Sequence, residues 1–355
     1  MKKERINWFY NGTLTKEEQD GHSVVNVNLI KKLLLKDCDI DFFYISKKTD
    51  AETEVFVTSL GVKNVTNIKP KGIGGRLANL IFPKKCKSKV KVVYGSNAVM
   101  DHVCIDYENT ILIAGDVESR KWIQNKKPTT FHNYLINKIR ESRYRKFSSV
   151  VIYNDVDAQF LNYKSNLIIN PVCYNGYVKQ NTEVDIKYYD IIFTGNFSYQ
   201  PNLDAAKYLI NEFSRGPYKL ALVGFNADLL GEVKSDYIII KDSVPSVEDE
   251  LDKAKIFISP LRYGTGVKNK VLSAINVGIP IIATNVSIEG IPGIHNFSSV
   301  MCSYDRKELI NLVEKTLSDY DSYKEEANKT KDYYDALMSW ESFAEILNCK
   351  LRDKC

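Results

Sequence analysis

The sequence predicts an α/β protein made of two parallel-sheet domains, each opening as a Rossmann-type unit. Three observations support this. Arg5–Tyr10 (RINWFY) reads as a strand, a polar loop with Gly12 and Gly21 follows, Val24–Leu35 carries apolar residues at helical spacing, and Ile40–Ile45 is a second strand. The same order restarts at Asp190–Thr194, where an apolar strand runs into Gly195 and Asn196 and a helix begins near Asn202 with Asp204 in its first turn. A chain of 355 residues has room for two domains of ordinary size.

The first half continues with short apolar pieces. Val55–Leu60 and Val65–Ile68 read as strand or loop, and Val90–Tyr94 and Thr110–Ile113 as strands. Tyr134–Phe147 reads as a basic helix, Ser149–Tyr153 as a strand, Asn154–Asn162 as a short helix and Asn166–Asn170 as the last strand before Pro171. In the second half Lys219–Val223 and Tyr237–Ile240 are strands, and Val247–Ala254 is a helix. Leu309–Leu317 is a surface helix. Lys331–Leu347 reads as one final helix with Trp340, Phe343 and Leu347 on one face.

The segment 255–293 has the densest pattern. Ile256–Ser259 is a buried strand, Arg262 to Gly266 a glycine-bearing loop, Val267–Val277 a helix stopped by Gly278, and Pro280–Thr284 the next strand. A strand, glycine loop and helix aim backbone N–H groups at whatever lies above the sheet, which suits a phosphate. Arg262 precedes the loop, Lys268 lies in the first helical turn and Lys270 follows. Cations oppose the macrodipole at a helix N-terminus, so an anion there would account for them. A tight turn with solvated cations is the alternative reading of Gly264 and Gly266.

The pieces PLRYGTGVKNKVLSA and GIPIIATNVSIEGI, together with TGNFSYQPNLDA in the restart, resemble the donor-sugar region of family 4-type glycosyltransferases with the GT-B fold. The resemblance implies two Rossmann-like domains facing a cleft, with a last helix crossing back to the first. The corresponding division is 1–176 for the acceptor-side domain, 177–187 for a linker, 188–330 for the nucleotide-sugar domain and 331–355 for the crossover helix and tail. It implies donor contacts at Gly195, Asn196, Gly264, Thr265, Gly266, Lys268, Asn269, Ser273 and Glu289, a base pocket near 242–244, and catalytic roles for Lys268 and Arg262. The turn 20–22, with Gly21 and His22, would approach the donor phosphates, with an ordinary surface loop as the alternative. The segment AGDVESRKW resembles an acidic motif of bacterial exopolysaccharide glycosyltransferases, so Asp116 joins the candidates; capping by Asp116 and Ser119 is its alternative.

One departure stands out. Ser273 occupies a position where the family carries a glutamate, and a serine cannot make a bidentate charged bond. Either the donor is held differently, with Glu289 taking part, or the site is weakened.

Composition narrows the remaining choices. No apolar run reaches the roughly 18 residues a membrane span needs, and no apolar stretch follows the charged N-terminus as in a signal peptide. Seven scattered cysteines, none at metal-ligand spacing, predict free thiols, a reducing cytoplasmic compartment and no structural metal. Eight Lys or Arg residues between Lys69 and Lys91 exceed the whole net charge of +5, so the rest of the chain is net acidic. Apolar residues interrupt this segment, and Lys84, Lys85, Lys87 and Lys89 are candidates for an anionic membrane surface or a lipid-linked acceptor. Solvated cations over a buried stripe are the alternative. The cluster lacks the interleaved aromatics of a nucleic-acid surface. The resemblance implies a retaining, metal-independent sugar transfer from a nucleotide sugar to a lipid-linked or polysaccharide acceptor. A non-catalytic nucleotide-sugar-binding protein and a GT-B-fold sugar epimerase are the rivals.

Overall fold

The computed structural model describes residues 3–15, 21–125, 131–163, 165–170, 173–174, 176–177, 187–264 and 266–353. The chain forms two units, residues 1–173 with 340–355, and residues 174–339. Residues 178–186, most of the expected linker, lie outside the described residues.

The first unit contains β1 (Glu4–Asn11), α1 (Gly21–Leu35), β2 (Cys38–Ile45), α2 (Ala51–Ser59), β3 (Asn64–Ile68), α3 (Ile73–Ile81) and β4 (Lys91–Tyr94). It continues with β5 (Thr110–Gly115), α4 (Glu118–Asn125), α5 (Phe131–Glu141), β6 (Ser149–Ile152), α6 (Asp155–Leu161) and β7 (Leu167–Ile169). The strands form one parallel sheet in the order β3-β2-β1-β4-β5-β6-β7. The strand order reverses between β1 and β4. Asn26 of α1 pins that point: Trp8 Nε1 donates to its Oδ1 at 2.8 Å, and its Nδ2 donates to the Gly95 carbonyl at 3.1 Å.

The second unit contains β8 (Tyr189–Thr194), α7 (Gln200–Phe213), β9 (Leu220–Gly224), β10 (Ile238–Asp242), α8 (Val247–Asp252), β11 (Ala254–Ser259) and α9 (Asn269–Val277). Then come β12 (Ile281–Thr284), α10 (Asn285–Ile288), β13 (Val300–Ser303), α11 (Arg306–Ser318) and α12 (Tyr320–Leu337). Its parallel sheet runs β10-β9-β8-β11-β12-β13, reversing between β8 and β11. Central strands such as β9 and β12 are buried at every residue, which is why they read as unbroken apolar runs. Both units are therefore α/β Rossmann-like sheets, the two-sheet class of GT-B proteins.

Two element readings need correction. Residues 55–59, read as strand or loop, belong to α2, and Leu60 is its C-cap. The Asp50 side chain caps the helix by accepting from Thr53 N, and Thr53 and Val57, four apart, are the buried pair. The final helix is two helices, α12 and α13 (Trp340–Leu351), separated at Met338 and Ser339. The break lets the two serve different units. Tyr334 of α12 donates to the Pro292 carbonyl at 2.6 Å in the second unit. In α13, Trp340, Phe343, Ala344, Leu347 and Leu351 join the core of the first unit with Leu29, Ile30 and Leu33 of α1. The cysteine expectation holds only in part. Cys38, Cys86, Cys104, Cys173 and Cys302 are free thiols, whereas Cys349 is disulfide-bonded.

The anchoring of α13 gives a direct test. Phe343 is fully buried, so Phe343→Ala should destabilise the first unit by about 3–5 kcal/mol. The check is the urea midpoint of that unit, which should fall without a change in slope.

Candidate functional site

The second sheet reverses direction between β8 and β11, and in open parallel sheets ligands sit outside the carboxyl ends of strands at such a point. β8 ends at Thr194 and passes into Gly195 and Asn196. β11 ends at Ser259 and passes into the glycine loop. The sequence-predicted donor residues of these two loops thus share one sheet edge.

Gly195 stands where an added side chain would crowd its neighbours. A Cβ there would lie 2.8 Å from both Asn202 Nδ2 and Lys270 Nζ. Asn202 Nδ2 donates to the Asn196 carbonyl at 2.8 Å, fixing the start of α7 under the loop. The Asn196 side chain accepts from Ser198 N at 2.9 Å and from Asn226 Nδ2 at 2.9 Å, so it organises its own loop. Beside it, the Thr194 hydroxyl is buried with no hydrogen-bond partner in the described structure.

The glycine loop makes its turn with Gly264 at φ +136° and Gly266 at φ +73°, angles that side-chain-bearing residues rarely adopt. Thr265 between them lies outside the described residues. Lys268 is the N-cap of α9 rather than part of its first turn, and the helix begins at Asn269, which is exposed. Lys268 is nearly buried, donates to the Gly266 carbonyl at 2.6 Å and pairs with Glu289 at 4.0 Å. It therefore fastens the loop as well as bringing charge to it.

Lys270, singled out by sequence only as a nearby cation, is the central side chain. Its ammonium sits 4.4 Å from the centre of the Phe193 ring and donates to Asn202 Oδ1. Burial, and next the positive charge of Lys268, pull its pKa down from 10.5 to about 7. Lys268 and Lys270 thus bring two positive charges to the same sheet edge.

Arg262 is paired with Asp204. Its guanidinium donates to Asp204 of α7 at 2.8 and 3.3 Å, and Arg306 donates to the same carboxylate at 2.5 Å. Arg306 also donates to the Pro260 carbonyl at 2.7 Å. Arg262 thus ties the loop to α7, and its charge is shared with Asp204.

Ser273 does not leave a carboxylate-free position. Its hydroxyl donates at 2.8 Å to Glu248, in the first turn of α8. Glu248 was not singled out by sequence, because its place depends on α8 packing against α9. Glu289, expected to take part in holding the donor, pairs with Lys268 at 4.0 Å. Asp242, in the expected base-pocket stretch, accepts from Ala227 N at 2.9 Å, which with Ser243 holds its carboxyl below the usual range.

The remaining candidates belong to the first unit. Gly21 and His22 open α1 rather than forming a turn before it. Asp116 follows the end of β5, just before α4. Ser119 N and Oγ donate to Glu141 at 2.8 and 2.5 Å, and Val117 N donates to Asp157 at 3.1 Å. Burial raises the pKa of both Glu141 and Asp157. Lys84, Lys85, Lys87 and Lys89 are exposed between α3 and β4. Among the described residues no group of three or more His, Cys, Asp or Glu could hold a metal ion.

The two parallel-sheet units define the fold class, GT-B. Residues 188–319 match the model of the family described as Glycosyl transferases group 1. The whole chain is similar to WaaG, a glycosyltransferase involved in lipopolysaccharide biosynthesis (12% identity, TM-score 0.63, 98% of this chain and 99% of that chain). It is similar to HepE of Anabaena in complex with UDP-glucose (10% identity, TM-score 0.64, 98% and 99%). It is also similar to a mutant of S. aureus TarM in complex with fondaparinux, alpha-GlcNAc-glycerol and UDP (10% identity, TM-score 0.67, 96% and 99%). No curated protein matches the chain.

The Ser273–Glu248 contact makes a prediction opposite to a simple restoration of the family residue. Ser273→Glu should set two carboxylates against each other and lower stability, and Glu248→Gln should rescue it. A double-mutant cycle by urea unfolding should give a coupling of about 0.5–3 kcal/mol.

Proposed function

We propose that the protein transfers a sugar from a nucleoside diphosphate donor to a lipid-linked or polysaccharide acceptor in surface-glycan synthesis, with retention of configuration and without a metal ion. The observation that carries this reading is Lys270, held over Phe193 beside Gly195 with Lys268 next to it. A sugar nucleotide brings a diphosphate, the anion such a pair suits. The relatives solved with UDP or UDP-glucose support the same donor class.

The chemistry follows from where charge appears. The bond between the anomeric carbon and the phosphate oxygen breaks, and its electron pair leaves with the diphosphate. Lys268, Lys270 and the N–H groups that open α9 offset that charge as it grows. In a front-face attack the departing phosphate oxygen takes the acceptor hydroxyl's proton, so the chain need supply no separate base. Glu248 and Ser273 together offer a carboxylate and a hydroxyl for donor hydroxyl groups. With that carboxylate present, Ser273 alone no longer argues for a binding-only protein. The epimerase alternative requires histidines with carboxylates around the sugar. His295 is the one histidine among residues 174–339, and it contacts Cys302. The reading sets a peripheral enzyme at the cytoplasmic face of a membrane. Among the described residues no helix is long and apolar enough to cross one.

A panel of nucleotide sugars, assayed for binding and slow hydrolysis, tests the reading. One donor should bind and turn over. Lys268→Ala should lower kcat by about 10²–10³, or roughly 2.7–4 kcal/mol. Lys270→Met should weaken donor binding by about 1.5–3 kcal/mol, the usual worth of a hydrogen bond to a charged group. If no nucleotide sugar binds the wild-type protein, the proposal is wrong.

A further inference from the structure

α3 and α5 are built inside out. A surface helix normally turns its apolar row to the core and its polar row to water. α3 instead buries Asn79 together with Leu80 and exposes Ile73, Leu77 and Ile81, continued by Phe82. α5 buries Asn137, Arg140 and Glu141 and exposes Phe131, Leu135 and Ile139. All seven of these apolar residues are between 38% and 79% exposed. The spacing of four residues sets each row along one helix face.

The inversion is fixed by hydrogen bonds. Asn79 donates to the carbonyls of Met100 at 2.7 Å and Val103 at 2.9 Å. Arg140 donates to both oxygens of Asp101, at 3.1 and 2.5 Å, and Arg76 of α3 reaches the same carboxylate at 3.4 Å. Arg143, just after α5, donates to the Leu80 carbonyl. Both helices thus turn polar rows toward Asp101 and apolar rows away from it. Breaking such a buried charged network is costly, so the outward apolar rows are locked in place. Exposed cations border them: Lys69 before α3, Lys84, Lys85, Lys87 and Lys89 after it, and Arg145 and Lys146 after α5. Of these cations, Lys87 pairs with Glu108 at 3.1 Å.

We propose that the α3–α5 face docks on an anionic lipid bilayer, its apolar rows entering the acyl boundary and its lysines meeting the headgroups. Charge complementarity selects this occupant, since a second copy on the same face would set like cations against each other. The inference deepens the lipid-linked acceptor reading, and vesicle binding without a donor tests it separately from sugar transfer.

The experiment is co-sedimentation with vesicles of phosphatidylcholine alone or mixed with phosphatidylglycerol. The wild-type protein should bind the phosphatidylglycerol vesicles at least tenfold more tightly, and salt should weaken the binding. The double variant Leu77→Asp with Leu135→Asp changes only exposed positions, so it should keep wild-type melting and donor affinity yet lose at least tenfold in vesicle binding. Replacing Lys84, Lys85, Lys87 and Lys89 with Ala should do the same to vesicle binding. Absence of wild-type binding, or unchanged binding in both variants, overturns the proposal. So does a wild-type dimer that the leucine variant splits. Vesicle binding without donor turnover would leave it standing and remove the transferase reading instead.

Discussion

The second unit depends on two ammonium groups held against each other's charge. Lys268 and Lys270 flank the first residue of α9, one reaching back to the glycine-loop carbonyl and the other sunk over Phe193 beside Asn202. Neither placement is favourable in isolation. Burial and mutual repulsion disfavour the charged form of Lys270, and cations at a helix start oppose the helix dipole. Within the chain, Glu289 and the Gly266 carbonyl offset the charge of Lys268, and the Phe193 face and Asn202 that of Lys270.

Much of the surrounding architecture serves to hold that pair. Gly195 leaves the space that Lys270 Nζ and Asn202 Nδ2 fill. Asp204 gathers Arg262 and Arg306 and so fastens the loop after β11 to α7. Glu289 balances Lys268 from the far side, and Glu248 brings a carboxylate to Ser273. The acids around this edge are therefore committed to specific partners, while Thr194 keeps a buried hydroxyl with no partner in the described structure.

The fold was largely legible because strands buried on both faces appear as continuous apolar runs, and glycines mark where those runs turn. What escaped the sequence depended on distant partners. Val55-Phe56-Val57 looks like strand material, yet the Asp50 cap and the inward pair Thr53 and Val57 make it helical. The last two helices read as one because the break at Met338 and Ser339 has no glycine or proline to announce it. Lys270 gained its importance from Phe193 and Asn202, and Glu248 from a helix pairing; neither is visible in local spacing. The amphipathic character of residues 73–82 could be read from sequence, but which face is buried could not. Asp101 decides that, and it lies in a different segment.

The most direct measurement is the ionisation of Lys270, followed by NMR of its side-chain amine as pH is varied, with and without UDP. In the free protein the amine should titrate near pH 7. The unfolded chain, with its ordinary lysine value, binds more protons between that pH and 10.5, so folding stability should rise with pH across the same window. Bound UDP should favour the charged amine, move the titration upward, and draw in a proton on binding between pH 7 and the new value. A free-protein titration near 10, or one that UDP leaves unmoved, would contradict the account of this edge as a diphosphate seat.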